Sequence, residues 1–221
     1  MSPGSAESLI PQLVKNLRPV RRVPSSGASL VGIFGLALIV AFVVLRFDGP
    51  GLDLSNDLLG SGVFRAVLVG LLLAATGGIV GGLSAGIPGR EAMLRLGGGV
   101  ALAGVGAAAL VGWSALGSLG PQTWSPLSGD LTCFARALGF ALLPLLGMVG
   151  LLVRGWVARP AWAALVALLG AVSVGAVVAH LSCPHSFSGA RHLLLGHVSV
   201  PLVAATAGIF PLAALFRRFA R

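Results

Sequence analysis

The residues able to do chemistry are few. Two cysteines and four histidines occur in 221 residues, and five of the six lie between 180 and 197: His180, Cys183, His185, His192 and His197, with Cys133 earlier in the chain. On a helix His180 and Cys183 stand about 60° apart and about 4.5 Å along the axis, so both can point at one ligand. Pro184 then ends the helix. His197 follows His192 by five residues, about 7.5 Å further along if both are helical, and an ionisable side chain at that depth faces the inside of a bundle. Two thiolates with several imidazoles suit zinc or another thiophilic cation, although the spacing is that of no recognised zinc module. Three readings of the cysteines stand side by side. They form a disulfide, which an oxidising compartment permits. They are unpaired and inert. Or they are a sensor, in which oxidation or metal capture changes how helix hairpins pack. For His197 the plain reading is a hydrogen bond to a neighbouring helix.

The elements that position these residues are membrane helices. Of the chain, 56% is apolar and 10% charged, and mean hydropathy is +0.98. Removing the charged positions leaves six stretches, 23–45, 66–89, 96–129, 137–153, 160–190 and 192–216. Every one but the fourth is long enough to cross a hydrocarbon layer about 30 Å thick. The fourth needs a helix starting near Leu131, with Arg136 lifting its guanidinium toward the headgroups. A barrel is excluded because the runs do not alternate, and too little chain remains for an aqueous enzyme domain. The expected fold is all-α: a polytopic six-transmembrane-helix bundle, approximate spans 27–46, 64–87, 96–118, 132–153, 161–182 and 193–216, between a cytoplasmic segment 1–26 and a basic tail 217–221. Surplus apolar chain is expected to form loops near 120–128 and after Ser182. Glycines four apart, as in Gly77 and Gly81, Gly78 and Gly82, predict close helix packing within the bundle rather than across a dimer.

Charge placement predicts the orientation. With the N-terminus inside, eleven basic residues are cytoplasmic, among them Lys15, Arg90, Arg95, Arg154, Arg159 and Arg217, and four, Arg46, Arg65, Arg136 and Arg191, are external. Both termini are then cytoplasmic, and all the Cys and His residues lie at or near the outer face. Gly82, Leu83, Ser84, Ala85 and Gly86 spell GxSxG, the pattern of a nucleophilic serine. Ser84, however, falls at the cytoplasmic end of its span, with every histidine at the other. Paired carboxylates in the spans and ATP-binding loops are also missing, so no enzyme and no cofactor is expected.

Residues 1–26 show Leu9, Leu13 and Leu17 on one helical stripe, between capping serines and Pro19, followed by Arg18, Arg21 and Arg22. The stripe suits a helix lying on anionic lipid and equally a peptide docking in the groove of a cytoplasmic partner.

In the order of its features the chain resembles the NrsF-like six-span membrane anti-sigma factors, and among them the negative regulators of light-induced carotenoid synthesis. The residues that carry the resemblance are Leu17, Arg18, Pro19, Val20, Arg21 and Arg22, Cys133 opening the fourth span, and Cys183 with Pro184 closing the fifth. The resemblance implies a multi-pass protein of the bacterial inner membrane. Its cytoplasmic face would hold an extracytoplasmic-function (CarQ-like) sigma factor away from RNA polymerase, with no direct nucleic-acid contact. By the same resemblance Leu9, Leu13, Leu17, Arg18, Arg21 and Arg22 are the expected sigma contacts. Cys133, Cys183, His180, His185, His192 and His197 are the expected sensing residues, with light acting through singlet oxygen. Two competing expectations are a small metal or solute permease built on the Cys and His residues, and a structural partner of another membrane complex.

Overall fold

The computed structural model describes residues 26–47, 61–118, 127–155, 157–183 and 189–219, and all regular structure among them is helical. In chain order the helices are α1 (Ser26–Phe47), α2 (Gly62–Ser84), α3 (Glu91–Ser118), α4 (Leu127–Leu152), α5 (Pro160–Ser182) and α6 (Ala190–Phe219). Five of them, α2 to α6, are long and apolar enough to cross a membrane, and α1 carries a shorter apolar stretch, Gly27–Val43. The outer surface is apolar as well. Leu110 is 73% exposed, Trp113 71% and Phe210 76%, a display of large side chains that lipid accepts and water does not. The chain is a helical, multi-pass, membrane-embedded protein.

Two helices begin about five residues ahead of their expected spans. The structure starts α3 at Glu91 rather than near 96, and α4 at Leu127 rather than near 132. Arg95, Asp130 and Arg136 interrupt the apolar runs without interrupting the helices. Glu91 and Asp130 stand in first turns, where the exposed backbone N–H groups favour negative charge.

At the centre lies α5. Every residue from Val166 to His180 is buried, the condition of a helix apolar on all sides. Helices α2, α4 and α6 surround it, α3 packs on α2, and the start of α1 lies along the end of α4. Consecutive helices run antiparallel. One end of the bundle therefore collects the starts of α2, α4 and α6 with the end of α5. The other collects the turns that carry Arg90, Arg95, Arg154 and Arg159, with Arg217 and Arg218 in the last turn of α6.

Glycine decides how closely α2 approaches its neighbours, and its two glycine stripes serve different partners. Gly77 and Gly81 face α3, where a Cβ on Gly97 would come 2.5 Å from the Gly77 carbonyl oxygen. Gly78 faces Gly170 of α5, where a Cβ would come 2.5 Å from the Gly78 carbonyl carbon, and Gly82 receives the Met148 side chain of α4. Small residues thus let backbones touch, the chief source of helix association where lipid tails are as apolar as leucine. Replacing Gly78 by Ile is expected to lower stability by about 1–3 kcal/mol or more through overpacking. Gly106→Ala, with open space beside it, is expected to be neutral, and thermal midpoints in detergent measure both.

Candidate functional site

Three helix ends meet round a small group of donors. From α4 comes Cys133, from the C-cap of α5 Cys183, and from α6 His192 and His197; all four are buried. One ligand atom from each lies within 4.8 Å of every other. No disulfide joins the two cysteines, and their sulfurs stand 3.1 Å apart. Cys183 Sγ lies 3.2 Å from His192 Nε2.

Asp130, one helical turn before Cys133, anchors the group. Its side chain is 1% exposed, and its carboxylate forms an ion pair with Arg191 Nη2 at 3.0 Å through one oxygen and accepts a hydrogen bond from His192 Nδ1 at 2.7 Å on the other. A carboxylate paired with a guanidinium only accepts, so Nδ1 of His192 carries the proton and donates it. Nε2 is thereby turned to the sulfurs. Chains in which a carboxylate fixes an imidazole so that its second nitrogen meets a metal or a thiolate are a recurrent arrangement. Cys183, one residue beyond α5, has its thiol pulled well below the usual range. The hydrogen bond from Cys133 is the first cause, burial works against it, and His192 adds to the lowering.

The local geometry of α6 makes this possible. On a regular α-helix residues five apart point about 140° away from each other, which would turn His197 from the group that His192 joins. Here Leu193–Val198 form a π-helical turn, closing i to i+5, and the two rings come to 5.2 Å. Its cause is readable downstream: Pro201 has no N–H for the His197 carbonyl, and its ring crowds that carbonyl, so the turn before it widens. Gly196 lies inside the wide turn. A Cβ there would stand 3.3 Å from Cys133 Cβ and 3.4 Å from His192 Cε1, so glycine eases the close approach of α6 to α4.

His197 is 0% exposed, its side chain interacts with Cys183, and neither ring nitrogen makes a hydrogen bond of good geometry. His180 stands behind the group rather than in it: its ring stacks on Phe64 at 4.1 Å, meets His197 edge-on at 5.2 Å, and places Nε2 3.4 Å from the Phe64 carbonyl oxygen. The one-turn spacing of His180 and Cys183 thus puts them side by side without giving them one ligand. His185 lies outside the described residues, as do Leu9, Leu13, Leu17, Arg18, Arg21 and Arg22. Reasoning from sequence missed Asp130 and Arg191 as members of the site. The signal was an acid three residues before Cys133, in a chain with only six acidic residues. Ser84 of the GxSxG pattern is buried and donates to the Val80 carbonyl at 2.7 Å. It stands about 30 Å along α2 from Phe64 and the histidines, far outside the reach of a nucleophile and its base.

No family model, curated protein or solved structure matches this chain.

Removing the carboxylate leaves the Arg191 guanidinium and the His192 Nδ1–H without their acceptor. Asp130→Ala is expected to destabilise the bundle by about 3 kcal/mol, the low end for a broken buried pair because Arg191 is partly exposed. In the same variant Cys133 and Cys183 should react faster with a small maleimide under native conditions. Labelling as slow as in the wild type would show that Asp130 does not hold the thiols in place.

Proposed function

We propose that this protein is a membrane-bound anti-sigma factor, not an enzyme, that holds an extracytoplasmic-function sigma factor at the bacterial inner membrane and releases it when the thiol end of the bundle is altered. The observation carrying this reading is the division of the molecule into two chemically different ends. One end gathers two thiols, two imidazoles and a buried carboxylate. The other gathers Arg90, Arg95, Arg154, Arg159, Arg217 and Arg218 with Glu91 as the single acid among its described residues. By the excess of positive charge the arginine end faces the cytoplasm, with both chain termini, in a six-span arrangement.

Reception and output are then joined by one rigid element. The central helix α5 ends in Cys183 at the thiol end, begins beside Arg159 at the arginine end, and touches α2, α4 and α6 along the way. A change that moves the end of α5 is carried along it to the cytoplasmic turns, since packed interfaces shift between discrete arrangements rather than yielding gradually. Singlet oxygen, the signal that a CarR-like regulator implies, suits the two thiols. Together they give up two electrons and two protons to one oxygen molecule, which leaves as hydrogen peroxide while a disulfide joins Cys133 to Cys183. The amphipathic stripe Leu9, Leu13 and Leu17, with Arg18, Arg21 and Arg22, provides the sigma contact by helix-in-groove docking. A permease is the weaker reading, because transporter sites lie near the bilayer midplane, whereas this group sits at one end of its helices.

Co-purification tests the reading. The tagged full-length chain is expected to retain a co-encoded sigma factor in about one-to-one ratio. Replacing Leu9, Leu13 and Leu17 by Asp should reduce the retained amount at least about tenfold, the scale of one lost apolar anchor. A chain that retains no sigma factor, or retains it equally after these substitutions, would contradict the proposal.

A further inference from the structure

We infer that Cys133, Cys183, His192 and His197 form a four-coordinate site for a thiophilic divalent cation, with zinc(II) the best match. In a tetrahedral Cys2His2 zinc site the donors stand about 3.3–3.8 Å from one another. The observed separations, 3.1 Å between the sulfurs, 3.2 Å from sulfur to His192 Nε2, and 4.8 Å as the outer limit for the whole set, bracket that range.

Three further observations point to a cation rather than to a packed polar core. First, His197 is fully buried, and apart from its approach to Cys183 its ring nitrogens make no hydrogen bond of good geometry; so weakly satisfied a buried imidazole is costly unless something coordinates it. Second, His192 already has the supporting arrangement of a metal ligand: Asp130 holds Nδ1 at 2.7 Å and leaves Nε2 directed at the sulfurs. Third, the charges balance. Two thiolates, two neutral imidazoles and one divalent cation sum to zero, and Asp130 with Arg191 sums to zero beside them. A neutral assembly is what a low-dielectric surrounding requires, and two thiolates without a cation would violate it.

Binding would displace the thiol protons of Cys133 and Cys183, so two protons leave for each cation bound. Affinity should therefore rise about a hundredfold per pH unit while both protons are present. The ion would tie α4, α5 and α6 together at this end. The site is argued independently of the sigma factor, and its test needs none.

The purified full-length protein in detergent, reduced with a phosphine under anaerobic conditions, is titrated with cobalt(II). One equivalent is expected to saturate it. The spectrum should show a sulfur-to-cobalt charge-transfer band and the intense visible absorption of four-coordinate cobalt, both bleached by zinc, with two protons released per ion. His197→Ala should lose the four-coordinate spectrum. Asp130→Asn, which keeps all four donors, should keep the spectrum and bind about 10–100-fold more weakly. A wild-type protein with no charge-transfer band overturns the site, whatever the variants do, and so does a His197→Ala protein with unchanged spectrum and affinity. Cobalt binding without sigma-factor retention would remove the sequestration reading and leave the site standing. Retention without cobalt binding would do the reverse.

Discussion

A carboxylate taken out of water among apolar helices is tolerable only when its charge is met at contact distance, and Asp130 is the point at which this bundle meets that demand. The ion pair with Arg191 and the hydrogen bond from His192 answer that charge at a side chain 1% exposed. An isolated buried charge would cost several kcal/mol, and the pairing removes most of that. It also fixes geometry. Asp130 sits on α4, and both its partners sit on α6, so the register of those helices follows from where the charge must be satisfied. Cys133 lies one turn along from Asp130, and Cys183 meets His192 on the opposite side of the ring. The site chemistry is thus a consequence of one electrostatic necessity.

The rest of the fold is arranged so that three helix ends can approach that closely. Helix α5 gives up any polar face and lies wholly enclosed. Helix α2 gives up side-chain volume at Gly77, Gly78 and Gly81, so that α3 and α5 close against it. The same economy recurs at Gly196, where the missing Cβ makes room for Cys133 and His192. The π turn then supplies what a regular helix lacks, two histidines five residues apart on one side of α6. Such turns occur preferentially at functional positions, because they sacrifice regular hydrogen bonding for the placement of a side chain.

Much of this was legible in the sequence, in proportion to how local its cause was. Long apolar runs dictate membrane helices, and spacing-four glycines dictate close packing. Which neighbour each stripe meets depends on the whole bundle and is invisible beforehand: Gly77 and Gly78 are adjacent in sequence yet serve α3 and α5. Helix starts were misplaced at Glu91 and Leu127 because a charge cuts an apolar run whether or not it cuts a helix. For the same reason Asp130 fell outside the expected span 132–153. Its burial depends on Arg191, sixty-one positions away. The proximity of the thiols and imidazoles was legible from topology alone, but their exact set was not. His180 has the better spacing to Cys183 on an ideal helix, and His197 joins instead only because Pro201 and Gly196 reshape the turn between them.

The central claim is that Asp130 and the π turn bring two sulfurs and two imidazole nitrogens to a single point. X-ray absorption at the zinc edge of the loaded, full-length protein reads that point directly. The account predicts a first shell of two sulfurs at about 2.3 Å and two nitrogens at about 2.0–2.1 Å. A shell of only nitrogen and oxygen, or one containing a single sulfur, would contradict it.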